Sequence, residues 1–123
     1  MENIVMIVGI VSLTKMKNQF NEQNLYYKGI SIDRANKIFI EGIQGEYYRR
    51  FNRKVVYLSK SKVVAETYAK QTNGVVAVIS ANNLNIMPSG HSNQFIVNSH
   101  IPKENIIEVY RVEKIIGGVK NGL

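Results

Sequence analysis

The chain has 123 residues, a net charge of +7 and no cysteine, and it is 45% hydrophobic and 20% charged. Those values fit one folded domain and exclude a disordered tail, a disulfide-stapled scaffold, a thiolate nucleophile and a cysteine-type zinc site. His91 and His100 lack metal-ligand spacing on one helix, so no metal is expected.

In chain order, Ile4 to Leu13 is apolar apart from Gly9 and Ser12. It is shorter than the ~20 residues a spanning helix needs. Its leading segment carries Glu2 rather than a basic cluster, so it reads as a buried first strand and no membrane partner is expected, with a membrane anchor as the minor alternative. Thr14 to Asn24 is polar, a loop or weak helix. Leu25 to Ile30 reads as a short strand. Ser31 stands where it can cap a helix in which Ile32, Ala35, Ile38 and Phe39 recur, with Gly42 at the C-terminal cap.

Gln44 to Asn52 is a polar loop with aromatic residues, and Val55 to Leu58 is a strand. Ser59 or Ser61 caps a second helix with a stripe of Val64, Ala65, Tyr68 and Ala69. Asn73-Gly74 signals a turn, and the continuous run Val75 to Ile79 reads as a central strand. A loop over Asn82 to Asn93, a strand over Gln94 to Val97, punctuation at Pro102 and a strand over Ile106 to Val112 follow, with a frayed tail from Gly117. No GxGxxG or GxxxxGK[ST] loop is present. The sum is one α+β domain with two main helices and short twisted sheets.

Arg49, Arg50, Arg53, Lys54, Lys60 and Lys62 occur with no acid between them. Two readings stand side by side: a solvated loop and strand end, or an electrostatic footprint for a polyanion.

Three pieces recur in a telling order. Leu25-Tyr26-Tyr27-Lys28-Gly29-Ile30-Ser31 precedes a helix ending in Glu41-Gly42-Ile43. Val56-Tyr57-Leu58-Ser59 precedes a helix containing Ala65 and Tyr68-Ala69. Asn93-Gln94-Phe95-Ile96-Val97 is followed by Ile101-Pro102 and Asn105-Ile106. This order resembles the ADP-ribosyltransferase superfamily, which includes poly(ADP-ribose) polymerases, bacterial mono-ADP-ribosylating toxins and NAD-dependent tRNA 2′-phosphotransferases. The resemblance covers about residues 25 to 113 and implies split β-sheets forming a cleft.

The resemblance implies NAD as substrate, a protein or nucleic-acid acceptor, and a cytoplasmic location or that of a secreted effector. Gly29 matches the glycine whose backbone holds the nicotinamide carboxamide; the alternative is a strand bulge. Tyr57 matches the tyrosine that packs on the nicotinamide ring, and Tyr68 a second stacking tyrosine; both also read as core tyrosines. Ser59-Lys60-Ser61 matches a Ser-x-Ser that orients the catalytic acid, or serves as a helix cap. Ser31 joins these as a cofactor-side residue, and Arg49, Arg50, Arg53 and Lys54 as an acceptor surface. Two positions depart from the family: its His or Arg is Lys28, and its Glu is Gln94. Lysine keeps a cation but not the bidentate fork. Glutamine keeps a hydrogen bond to the ribose but not the charge that stabilises the cationic transition state.

Overall fold

The computed structural model describes residues 24–112. The expected first strand over Ile4 to Leu13, most of the following polar segment and the tail from Gly117 lie outside the described residues.

The elements are β1 (Leu25–Ile30), α1 (Ile32–Ala35), α2 (Ile38–Glu41), β2 (Ile43–Gln44), β3 (Glu46–Tyr48), β4 (Arg53–Ser59) and α3 (Lys62–Thr72). There follow β5 (Val75–Ser80), β6 (Ile86–Pro88), β7 (Gln94–Asn98), β8 (His100–Ile101), a 3-10 turn (Lys103–Asn105) and β9 (Ile106–Arg111). The fold is α+β with antiparallel pairing throughout the described sheets. A seven-stranded sheet runs in the order β6-β7-β4-β1-β5-β9 with β3 on β4, and a two-stranded sheet joins β2 to β8.

β5 shows why a continuous apolar run was needed. Val75, Ala77 and Ile79 face the main core with Ile30, Val56, Leu58 and Val109. Val76 packs instead with Ala65 and Ala69 of α3, and Val78 with Leu25 and Ile107. A strand buried on both faces cannot alternate apolar with polar.

The first predicted helix is two single turns, broken at Asn36 and Lys37. Asn competes locally for backbone groups, and Ile38, Phe39 and Ile40 are mediocre helix formers, so one long helix is not favoured. Only Ala35 and Ile38 of the predicted stripe are buried; Ile32 and Phe39 are exposed. Gly42 does end the second turn, with φ +74 and with Ile101 O standing 2.2 Å from where a Cβ would be. Ser31 precedes α1 but makes no side-chain capping bond; the Arg34 and Ala35 amides bond to its carbonyl.

In α3 the cap is Ser61, whose Oγ accepts from Val64 N at 3.2 Å. Ser59 instead makes a local turn: its Oγ accepts from Ser61 N at 2.9 Å. The helix ends at Asn73 in the left-handed region. Of the expected apolar stripe, Ala65 and Ala69 are buried, whereas Val64 and Tyr68 are about half exposed.

Gly29 explains that division. It lies in regular register opposite Val76, so it forms no bulge. A Cβ there would come within 2.6 Å of Ala65 O and 2.7 Å of the Tyr68 ring. The missing side chain lets α3 settle on β1 through its two alanines, and the larger Val64 and Tyr68 are left at the helix flank.

The loop read between β5 and β7 contains β6, which pairs with β7. The loop read over Gln44 to Asn52 contains β3, which forms a hairpin with β4. Short, polar or aromatic strands of this kind carry no period-2 pattern to mark them. After Pro102 the 3-10 turn buries Asn105, whose Nδ2 donates to Ser80 O at 2.8 Å and Asn82 O at 2.7 Å, fixing the end of β5.

Candidate functional site

The site begins where the sheet stops being regular. One edge of β4 pairs with β7 from Val55 to Ser59. The other edge meets β3 at Arg53 to Val55, and β1 only at the pair Tyr27↔Ser59. Along Val56, Tyr57 and Leu58 that edge has no strand partner among the described residues, and β1 and β4 part company there. The separation leaves a backbone acceptor to satisfy. Lys28 does so: its Nζ donates to Tyr57 O at 3.1 Å.

A pocket of about 580 Å³ occupies the opening. Lys28, Gly29 and Ser31 come to it from β1 and its C-terminal end, Tyr57 and Ser59 from β4, Tyr68 from α3 and Gln94 from β7. Gln94 stands opposite Ser59 in the β4–β7 ladder. Seven residues singled out in three separate stretches of sequence therefore line one cavity.

Several of them also have local structural roles. Gly29 is required by the close approach of α3. Ser59 is buried and tied to the Ser61 backbone. The Tyr57 ring meets Tyr48 edge-on, with centroids 4.8 Å apart, and Phe51 at 6.1 Å. The aromatic wall is thus built from Tyr57 and Tyr48, with Tyr68 lining the same cavity. Tyr48 was missed because its segment read as a loop. A three-residue strand before a hairpin turn gives little to recognise in sequence.

The charged lining is also mixed. Lys28, Arg34 and Lys37 supply positive charge; Asp33, Glu41 and Glu46 supply negative charge. Burial lowers the Lys28 ammonium from its ordinary 10.5 to about 8, while Glu46 pulls it back up and Arg34 pushes it further down. Burial, followed by the charge of Glu46, raises the Tyr48 phenol. Arg34 Nη2 and Glu46 Oε2 form an ion pair at 2.6 Å, joining α1 to β3, with both side chains about half exposed. An exposed pair of this kind contributes about 0–1 kcal/mol. Arg34 and Glu46 escaped notice in the sequence because single charged residues on short elements look like solvated surface.

The four residues read as an acceptor surface sit on the β3–β4 hairpin beside the pocket but do not line it. Arg50 donates to Ser89 O and lies over the Phe51 ring at 5.0 Å. Arg53 Nε donates to Asn98 Oδ1 at 2.6 Å. Arg49 and Lys54 are exposed on the same hairpin. Further along the run, Lys60 donates to Leu25 O at 3.0 Å and covers the Tyr26 ring at 4.1 Å. Several of these cations therefore hold loops and rings of the protein itself.

Among the described residues, no group of His, Cys, Asp and Glu could hold a metal ion, and no helix is long and apolar enough to cross a membrane. No protein-family model matches the chain, and no curated protein matches it. A solved structure named EcPltA is similar in fold, with a TM-score of 0.52 at 17% sequence identity, covering 68% of this chain and 72% of that one. At that identity the likeness concerns the fold alone.

Proposed function

We propose that the pocket between β1 and β4 binds NAD and that the protein is an ADP-ribosyltransferase-like enzyme, transferring ADP-ribose to a protein or nucleic-acid acceptor. The observation that carries this reading is the convergence of Lys28, Gly29, Ser31, Tyr57, Ser59, Tyr68 and Gln94 on one cavity. Its volume of about 580 Å³ lies within the range of small-molecule sites, roughly 300–1,000 Å³. In this reading Tyr57 stacks on the nicotinamide ring, Lys28 meets the dinucleotide, and Gln94 hydrogen-bonds the ribose. The bond from ribose to nicotinamide breaks through an oxocarbenium-like state, nicotinamide leaves, and the acceptor takes the ribose carbon.

Gln94 favours a second reading, a transferase fold that binds a nucleotide or a macromolecule without turnover. Its amide supplies no negative charge to the cationic state. The Gln94→Glu variant discriminates. A carboxylate at that point is worth several kcal/mol of barrier, so NAD cleavage should rise roughly a hundredfold or more, read as nicotinamide release. NAD should also raise the melting temperature, with linkage of about 2.7 kcal/mol at a hundredfold excess over Kd, and Tyr57→Ala should reduce that shift. If millimolar NAD leaves the melting temperature unchanged, the nicotinamide site is lost. If NAD binds but neither the native protein nor Gln94→Glu releases nicotinamide, the binding reading replaces the enzyme.

A further inference from the structure

The same pocket contains an arrangement that the nicotinamide-site residues do not account for. Arg34 and Glu46 come from different elements, α1 and β3, and both line the cavity. Their side chains meet at 2.6 Å. Lys28, rooted on β1 and bonded to Tyr57 O, also lines it. The remaining charged lining residues are Asp33, Lys37 and Glu41, so the lining carries equal numbers of cationic and anionic side chains.

A guanidinium that engages a carboxylate presents the same planar fork that takes a phosphate oxygen pair. We propose that Arg34, with Lys28, is a seat for the diphosphate of a nucleotide-type ligand, and that Glu46 occupies this seat in the free protein as an internal competing anion. The proposal deepens the NAD reading and rests on the pocket taking a phosphate-bearing ligand, but not on nicotinamide recognition. With Glu46 seated, the cavity is close to electroneutral and repels no cation and attracts no anion strongly. Once a diphosphate displaces it, the Arg34 charge is satisfied by the ligand, and Glu46 turns to solvent at little cost because it is already half exposed. Because the pair is worth only about 0–1 kcal/mol, Glu46 lowers anion affinity modestly rather than blocking the seat.

The test is calorimetric titration of the full chain with inorganic pyrophosphate at low ionic strength. Glu46→Gln should bind pyrophosphate about three- to fivefold tighter than the native protein. Arg34→Gln should bind it more weakly, and adding Glu46→Gln to that variant should restore little, because the two groups act on one another. Glu104→Gln removes the same charge at an exposed position of the 3-10 turn, outside the pocket lining, and should change affinity less than twofold. Both pair residues are exposed, so thermal melts should show all variants folded. Equal gains in Glu46→Gln and Glu104→Gln would reduce the effect to net charge and overturn the proposal. Absence of pyrophosphate binding in both the native protein and Glu46→Gln overturns it as well. NAD binding no tighter than pyrophosphate, with the variant pattern intact, sinks the nicotinamide site alone and leaves the diphosphate seat standing.

Discussion

The two edges of β1 behave in opposite ways. On one edge all six residues pair with β5, from Leu25↔Ser80 to Ile30↔Val75. On the other, the strand meets β4 at Tyr27↔Ser59 and then diverges. The first edge is closed by backbone hydrogen bonds over a core of buried aliphatic side chains. The second is held by a lysine ammonium reaching a carbonyl, and it opens into a cavity with charged and aromatic walls. One strand thus supplies both the frame and the site. Here the ladder stops between two partners: β1 meets this edge of β4 at Ser59 and β3 meets it at Arg53 to Val55, leaving Val56 to Leu58 between them to face the cavity.

The comparison can be broken most severely at Gly29, where frame and site share a residue. Gly29→Val puts a side chain where Ala65 O would be 2.6 Å from its Cβ. Overpacking should cost about 2–3 kcal/mol and lower the melting temperature by roughly 10 °C or more. Denaturant titration checks the first figure and calorimetry the second. A melt within a degree or two of native would mean that α3 can move aside and that the close approach is not required.

The open edge can be sharpened through pH. The Lys28 pKa is about 8 in the folded protein against an ordinary 10.5. Between those values the unfolded chain holds a proton that the folded chain has released, so stability attributable to Lys28 rises with pH across that window. Below about pH 8 both states are protonated, and the cost of burying the ammonium is fully present. The expected rise is roughly 1–2 kcal/mol, discounted because the side chain is partly exposed. Lys28→Met should abolish it: the difference in unfolding free energy between the variant and the native protein should shrink as pH climbs from 8 to 10.5, in the variant's disfavour. A difference independent of pH would remove the buried ammonium from the account.

A smaller pair of effects separates two serines that look alike in sequence. Ser61→Ala should cost about 1 kcal/mol, because Ser61 Oγ caps α3. Ser31→Ala should change stability by no more than about 0.5 kcal/mol, because Ser31 makes no side-chain capping bond. Chemical denaturation of both variants reads the contrast, and equal losses would contradict it.

The basic hairpin, read in the sequence as an acceptor surface, gives the smallest effect, and its geometry directs the choice of residues. Arg50 and Arg53 are tied to Ser89 and Asn98, so reversing them disturbs loops as well as charge. Reversing Arg49 and Lys54 to Glu leaves those ties alone. If nucleic acid is the acceptor, this double reversal should flatten the salt dependence of single-strand binding by about 0.7 per lost contact. Filter binding across a salt series measures it, and an unchanged slope assigns the run to holding the hairpin.

The parts of this fold whose physics is local are legible in the residues alone. The turn at Asn73-Gly74, the glycine cap at position 42 and the doubly buried run from Val75 to Ile79 all follow from backbone preference and apolar content, and each stands where it was expected. The seven residues that share the cavity are singled out by the resemblance that the order of the three motif segments carries, not by any local preference of their own.

The tertiary structure decided the rest. That Gly29 serves helix packing depends on Ala65, thirty-six positions away in sequence. Val64 and Tyr68 leave the core because two alanines take it, which helical periodicity alone does not reveal. Arg34, Glu46 and Tyr48 enter the site because β1 and β3 meet one edge of β4 at separate places and leave an opening between them. Strand pairing is long-range, and its energy lies in the partner rather than in the residue. A sequence can therefore mark a strand without showing where its ladder ends, and the pocket is the place where this one does.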